Sequence, residues 1–203
     1  MTEFYSDGQL SMQQGADSRR LADRMTEVNL RPVITPRDRA FIEARDMFFL
    51  ATVDARGHAN CSYKGGDLGF VRVVSERTIA FPNYDGNGMF LSMGSIADTG
   101  EVGLLFIDFE AQSRMRLNGT ATLHRDDPLL GEYPEAQFIV RVAVREVFTN
   151  CPRYIHKMAL VERSVFVPKA ECETPQPEWK QGFVDVLPAN DPARFTGVDE
   201  HTR

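Results

Sequence analysis

A turn rich in glycine and asparagine stands between a predicted strand and a predicted helix, and its residue types suit anion binding. The strand is predicted over residues 78–81, where apolar side chains alternate. Residues 85–88 favour positive-φ turns, and helical spacing resumes at Met89. Free N–H groups at such a helix start, with the side chains of Asn87 and Ser92 nearby, predict a site for an anion such as a phosphate. An ordinary strand-to-helix loop is the alternative interpretation.

The composition of the chain indicates a soluble cytoplasmic protein. Its 203 residues include 23 basic and 29 acidic side chains, and the formal net charge is −6. Such an acidic balance disfavours nucleic acid or an anionic membrane as a partner. The sequence shows neither a signal peptide at residues 1–16 nor an apolar run long enough to span a bilayer. Its three cysteines are widely separated and lack metal-ligand spacing, so neither a disulfide framework nor a metal site is predicted.

Apolar alternation predicts a mainly β protein. Strands are predicted over residues 47–53, 58–64, 68–74, 78–81, 102–107, 114–124 and 138–148. A change of phase at Glu146 and Val147 indicates a bulge in the last of them. Because hairpins join most strands and few helices interrupt them, the sequence favours an antiparallel barrel or sandwich over a parallel sheet. Neither a G-x-G-x-x-G motif nor a P-loop is found.

The remaining segments predict a few peripheral helices. Residues 1–16 are interpreted as a loose arm, and an amphipathic helix follows over residues 17–30. A second helix is expected after Thr35, and another is expected to begin at Asn150. The predicted organisation is an arm and helix over residues 1–35, a barrel over residues 36–168 and an extension over residues 169–203.

The order of these segments resembles the pyridoxamine 5′-phosphate oxidase-like family of FMN-binding split barrels. The resemblance covers roughly residues 41–158, and its best-matched pieces are ATVD at 51–54, GF-V-RV at 69–73, FPN to GN at 81–87, GLLF at 103–106 and MRLNGTA at 115–121. It implies an antiparallel split β-barrel of six to seven strands and a homodimer that encloses two FMN molecules at its interface. The implied cofactor contacts in the central segment are Phe81, Pro82, Asn83, Asn87, Gly88 and Ser92.

Two departures from the family pattern concern the flavin phosphate. The oxidases have an Arg and a Lys where Ser62 and Asp67 stand here, and an Arg-Lys pair falls on residues 87–88. The resemblance therefore implies a divergent relative without true pyridoxamine phosphate oxidase activity. Lys64 lies two residues from Ser62 on the same strand face, so these two side chains are predicted to rebuild a phosphate clamp. A solvated lysine before a loop is the alternative interpretation of Lys64.

The same resemblance assigns two arginines. Arg116 lies on the polar face of its strand, which faces the flavin in the family, where a guanidinium stabilises negative charge at N1 and O2 of the reduced ring. Arg153 is predicted to reach a ligand across the dimer interface. For both, a solvated surface arginine is the alternative. No catalytic residue is assigned, because the isoalloxazine itself transfers the hydride or electron.

These observations predict a cytoplasmic, homodimeric, FMN-dependent oxidoreductase acting on an unidentified small molecule. A non-catalytic protein that stores or senses a flavin, haem or another planar ligand on the same barrel is the alternative. A deazaflavin-using reductase is a third possibility, but the strongly basic groove that it needs is not evident at a pI near 5.3.

Overall fold

The computed structural model of the protein describes residues 4–195. The chain divides into two units, Met1–Val161 and Glu162–Arg203. The first unit contains all seven strands and four α-helices of the described residues. The second contains loops and two short 3₁₀ helices, Glu178–Phe183 and Pro192–Arg194. Within it the buried ammonium group of Lys180 lies 2.7 Å from the Asp191 carboxylate.

A single antiparallel sheet dominates the first unit. Its strands are β1 (Met47–Val53), β2 (Ala59–Gly65), β3 (Arg72–Ser75), β4 (Thr78–Asn83), β5 (Glu101–Asp108), β6 (Ser113–His124) and β7 (Phe138–Thr149). They are ordered β2-β1-β5-β6-β7-β4-β3, so β2 and β3 form the two edges. Every pair of neighbours is antiparallel. The prediction of a mainly β, antiparallel split barrel of six to seven strands is confirmed, with seven strands in the sheet.

Phenylalanine rings form the centre of the core on the inner face of the sheet. The Phe48 ring is fully buried, and its centroid lies 5.8 Å from that of Phe70, 5.0 Å from that of Phe81 and 5.3 Å from that of Phe106. Truncating one such ring to alanine typically costs about 3–5 kcal/mol. Because a slip of one residue would expose Phe48, this cluster fixes the register of β1.

The strands depart from regularity at one bulge and one proline. Asn118 pairs with Glu146 while Gly119 pairs with Val144, so Arg145 is the extra residue of a bulge one position before the predicted one. A Cβ on Gly119 would overlap the carbonyl oxygen of Ala143, which explains the glycine. Strand β4 continues through Pro82 to Asn83, beyond its predicted end at residue 81. The pairing with β3 stops at Ala80, so the missing N–H of Pro82 loses no ladder bond.

Four α-helices accompany the sheet, and they are α1 (Asp7–Gly15), α2 (Arg19–Asn29), α3 (Pro36–Glu43) and α4 (Leu91–Thr99). Helices α2 and α3 confirm the predicted ones. Helix α1 shows that the predicted loose arm was wrong for residues 7–15. A capping box between Ser6 and Gln9 begins it, and the Tyr5 hydroxyl donates to the Ala22 carbonyl at 3.0 Å. These contacts stabilise a segment that has no buried residue of its own.

Two further expectations were wrong. Strand β3 contains only Arg72–Ser75, whereas the sequence predicted a strand over residues 68–74. Residues 150–161 contain no helix, although Asn150 and Pro152 have the residue types of a helix start. Tyr154 has a φ of 72°, which is incompatible with a right-handed helix at that position.

Candidate functional site

Three polar side chains of β2 lie on the same face of the sheet as the core side chains of the neighbouring strand β1. We call them the polar strip, and they are Asn60, Ser62 and Lys64. Their directly opposed partners on β1 are Thr52, Leu50 and Phe48. Opposed residues in an antiparallel pair share a face, and these three partners are buried. An edge strand therefore places polar groups beside the apolar core, where donors and acceptors left unpaired are costly.

Helix α4 brings one more hydroxyl to the polar strip. The side-chain amide of Asn60 donates to Ser92 Oγ at 3.1 Å, and Ser62 Oγ lies 3.0 Å from the same atom. Ser92 is buried and is the second residue of α4. The structure thus brings together Ser62 and Ser92, which the sequence predicted as ligand residues. Asn60 was missed, although its alternation with Ser62 and Lys64 along the strand could have indicated it.

Lys64 is a half-buried cation, and no group within residues 4–195 pairs with it. Burial lowers the pKa of its ammonium group, because a low-dielectric environment disfavours the charged form. Lysines are rarely buried without a counter-ion. The position therefore suits an anion that arrives from outside the chain.

The first turn of α4 adds further donors at Ser92. The residue before the helix, Phe90, is left-handed with a φ of 49°, and no side chain in the described part of the protein caps the helix there. The first N–H groups of an α-helix have no carbonyl partner within the helix, and they carry the positive end of its dipole. The polar strip consequently lies beside an uncapped helix start.

The loop before α4 has the predicted turn chemistry. Asn87 Oδ1 accepts a hydrogen bond from the Met89 N–H at 3.1 Å, so one function of Asn87 is to form the turn. Gly88 has a φ of 75°, and a Cβ there would meet open space, which means that the backbone conformation explains the glycine. Met89 and Phe90 are 62% and 51% exposed. The ligand roles predicted for Asn87 and Gly88 stay predictions.

The three predicted residues of β4 have structural contacts. Phe81 is fully buried in the core. Pro82 is buried within the strand, and Asn83 donates through Nδ2 to Gln137 Oε1 at 2.9 Å. The Asn83 amide also donates to the carbonyl of Tyr84, the residue that follows the strand, at 3.2 Å. A role in contacting a ligand stays a prediction for all three.

The glycine pair after Lys64 has a packing explanation. A Cβ on Gly66 would overlap the Phe70 ring, and a Cβ on Gly65 would lie 2.8 Å from the Tyr63 ring. Packing against two aromatic rings accounts for them without a ligand.

Arg116 lies on the opposite face of the sheet from Lys64. It belongs to a line of opposed residues that crosses five strands, which we call the outer row: Tyr63, Phe49, Leu105, Arg116 and Phe148. Phe49 follows Phe48 in β1, so the outer row faces away from the core. The exposed Arg116 guanidinium lies 6.0 Å from the centroid of the Phe148 ring. One protomer therefore does not bring Lys64 and Arg116 to the same face.

Arg153 follows the last strand and contacts a thiol. Its Nε donates to Cys151 Sγ at 3.1 Å, and both residues are exposed. Hydrogen bonds from the backbone and side chain of Arg153 lower the pKa of Cys151. The contact across a dimer interface that was predicted for Arg153 stays a prediction.

Other kinds of site find no support within residues 4–195. No group of three histidine, cysteine, aspartate or glutamate side chains there is placed to bind a metal ion. None of the helices in this part of the chain is both long enough and apolar enough to cross a membrane.

Several known proteins are similar to this chain. HupZ from Group A Streptococcus is 19% identical over 62% of this chain and 99% of its own, with a TM-score of 0.47. An FMN-binding protein from Syntrophomonas wolfei is 11% identical over 69% and 97%, with a TM-score of 0.44. HutZ, the haem storage protein from Vibrio cholerae, is 17% identical over 57% and 93%, with a TM-score of 0.41.

No individual curated protein matches the sequence significantly, but the sequence does match the model of a known family. The family model described as pyridoxamine 5′-phosphate oxidase matches residues 34–163, a range that includes the whole sheet, the polar strip and α4. The chain belongs to the pyridoxamine 5′-phosphate oxidase family.

Proposed function

We propose that the protein binds FMN with its phosphate at the polar strip and acts as a flavin-dependent oxidoreductase on a small molecule. The observation that carries the proposal is the half-buried Lys64, which lacks a counter-ion among the described residues and lies on one strand face with Ser62. A dianionic phosphate is the type of ligand that such a cation binds most strongly.

The groups around this position are matched to a phosphate. The Lys64 ammonium can only donate hydrogen bonds, the serine hydroxyls can donate, and the uncapped start of α4 offers backbone N–H groups. The polar strip itself includes no carboxylate. FMN, when bound, would supply hydride or electron transfer through its ring, while these residues hold and orient it.

A homodimer is the second part of the proposal. Within the outer row Tyr63 is 62% exposed, and Phe49 and Leu105 are half-buried. Exposed apolar surface of this kind favours association, and most soluble oligomers are symmetric. Lys64 and Arg116 lie on opposite faces of one sheet, so a single flavin would contact Lys64 of one protomer and Arg116 of the other.

Three exposed free thiols, Cys61, Cys151 and Cys172, suit a reducing cytoplasmic location.

The phosphate site is tested by comparing FMN with riboflavin, which lacks the phosphate. Lys64→Ala should weaken FMN binding by about 1.5–3 kcal/mol, or about 10- to 150-fold, and leave riboflavin binding nearly unchanged. Lys157→Ala is the matched control, because Lys157 is exposed. Flavin fluorescence titration measures both affinities. Equal FMN affinity in Lys64→Ala and the parent would place the phosphate elsewhere.

Catalysis needs a separate measurement. The absorption spectrum and mass of the molecule that copurifies identify the natural ligand. We expect FMN, reduced by a nicotinamide donor and reoxidised over many turnovers by an acceptor. Binding without turnover would instead identify a flavin-binding protein, and a copurified haem would overturn the assignment of FMN.

A further inference from the structure

We propose that Asn60 is a positioning residue of the phosphate site, because its amide orients the hydroxyl pair formed by Ser62 and Ser92. The inference rests on the proposed function, in which Lys64 holds the phosphate. Asn60 itself would act through Ser92 and would not contact the ligand.

The hydrogen-bond inventory of the three groups supports this role. Each serine hydroxyl has one hydrogen to donate and two lone pairs to accept with. Asn60 Nδ2 donates to Ser92 Oγ and occupies one of its lone pairs. The 3.0 Å contact between the two hydroxyls uses one of their two hydrogens. One hydroxyl hydrogen therefore remains, on Ser92 if Ser62 is the donor and on Ser62 if Ser92 is the donor.

An acceptor in place of the amide would reverse this outcome. Ser92 would donate its hydrogen to the acceptor, and Ser62 would donate to Ser92. No hydroxyl hydrogen would then remain for a ligand. Ser92 is only 6% exposed, so water is a poor substitute partner and the side chain at position 60 determines the arrangement.

This arrangement selects a class of ligand. The remaining hydroxyl hydrogen and the Lys64 ammonium both donate, so the position favours an oxyanion whose oxygens all accept. A fully ionised phosphate monoester meets that requirement, whereas a neutral hydroxyl ligand such as riboflavin does not.

Three variants test the inference by fluorescence titration with FMN and riboflavin. Asn60→Asp has nearly the same size and supplies an acceptor and a negative charge, so the ratio of FMN to riboflavin affinity should fall at least tenfold. Asn60→Leu removes the amide without adding charge and should lower the ratio about 2- to 10-fold. Asn60→Ala is a smaller neutral variant in case leucine prevents folding.

A double-mutant cycle shows whether Asn60 acts through Ser92. In the Ser92→Ala background, Asn60→Leu should cause no further change of the affinity ratio, because the hydroxyl that it orients is already absent. Asn29→Leu is the matched control. Its half-buried amide accepts a hydrogen bond from the Thr149 hydroxyl, and it belongs to α2, outside the site.

The outcomes separate this inference from the proposed function. A lower ratio in Lys64→Ala but the parent ratio in every folded Asn60 variant would overturn the role of Asn60 and keep the phosphate site. Equal losses of FMN and riboflavin affinity in Asn60→Leu, together with a lower Tm, would show a structural role and overturn the inference too. An unchanged ratio in Lys64→Ala would refute the phosphate site itself.

Discussion

Lys64 and Arg116 have the same formal charge but occupy different environments on the two faces of one sheet. Lys64 is half-buried on the inner face, and burial lowers its pKa. Arg116 is exposed on the outer face and lies over the Phe148 ring. A desolvated cation without a counter-ion gains more from a bound anion than an exposed cation does, because water already screens the exposed one. The inner cation is therefore expected to contribute much more to binding.

The same comparison restricts how the two residues could share a ligand. The side chains of Phe48 and Phe49, which are adjacent in β1, point to opposite faces of the sheet. Strand pairing places Lys64 on the same face as Phe48 and Arg116 on the same face as Phe49. A flavin against the inner face of one protomer thus requires a second protomer to supply Arg116.

Charge reversal should give the largest effect. Lys64→Glu removes a cation and places a carboxylate beside a phosphate, so FMN affinity should fall by more than 3 kcal/mol, over a hundredfold. Arg116→Glu should lower the affinity for oxidised FMN by less than about 1 kcal/mol, because Arg116 would face the uncharged oxidised ring and not the phosphate. Isothermal titration with FMN measures both. Similar losses in the two variants would contradict the difference between inner and outer cations.

The glycines on either side of the site provide the next test. Gly66→Ala should destabilise the protein by about 1–3 kcal/mol, because the added methyl overlaps the buried Phe70 ring. Gly88→Ala should cost about 1 kcal/mol through its positive φ, since open space surrounds the added methyl. Urea unfolding measures both free energies. If Gly66 is needed only for packing against Phe70, the Gly66→Ala variant should keep the parent ratio of FMN affinity to riboflavin affinity.

The sequence predicted the fold well because the sheet obeys short-range rules. Alternation over residues 114–124 fixed which side of β6 is buried, and turn residues marked the hairpins. It failed for α1, which depends on contacts of Tyr5 with α2, seventeen or more residues away. It failed again after Asn150, where good capping residues were not followed by a helix. Local propensity is weaker than tertiary contacts in such segments.

The site was predictable only in part. Because alternate residues of a β-strand share a face, the sequence placed Ser62 and Lys64 on one face, and the structure agrees. The same alternation within β6 put Arg116 on the polar face of that strand. No local rule showed whether this face and the Lys64 face of β2 lie on the same side of the sheet. The contact of Asn60 with Ser92 joins residues 32 positions apart, so local spacing could not specify it. Such contacts depend on how α4 packs against β2.

A mixed dimer tests whether the two faces of different protomers share one flavin. We expect Arg116→Ala to lower the midpoint potential of bound FMN by some tens of millivolts, where about 30 mV corresponds to roughly 1.4 kcal/mol for two electrons. A dimer of one Lys64→Ala protomer and one Arg116→Ala protomer keeps one intact phosphate site. If the site is shared, that site faces the intact Arg116 of the other protomer and should have the parent potential.

The control for the mixed dimer is Arg125→Ala, because Arg125 is an exposed arginine whose guanidinium lies over another ring, that of Phe138, at 5.5 Å. It should leave the potential unchanged. A lowered potential in the mixed dimer would mean that Lys64 and Arg116 of the same protomer act on one flavin. A monomer in light scattering, with FMN still tightly bound, would contradict the shared site altogether.

The smallest effect concerns the stability of the ligand-free protein. Because burial lowers the pKa of Lys64, the charged form is disfavoured in the folded state. Between the folded and unfolded pKa values the unfolded chain binds more protons, so stability should rise with pH through that window. Below the folded pKa both states are protonated, and the cost of the buried charge is constant. Lys64→Met should therefore stabilise the ligand-free protein at neutral pH by on the order of 1 kcal/mol, or about 2–4 °C in Tm.

Differential scanning fluorimetry at several pH values, with and without FMN, measures this effect. The advantage of Lys64→Met should shrink as the pH rises through the window above the folded pKa of Lys64. Saturating FMN should reverse the order, because the phosphate supplies the missing counter-ion only to the parent and ligand binding adds stability by mass action. Lys157→Met should shift Tm by less than the equivalent of about 0.5 kcal/mol, as expected of a surface substitution. A lower Tm for Lys64→Met without ligand would mean that Lys64 stabilises the fold. Lys64 would then have a structural role, and its burial would not indicate an anion site.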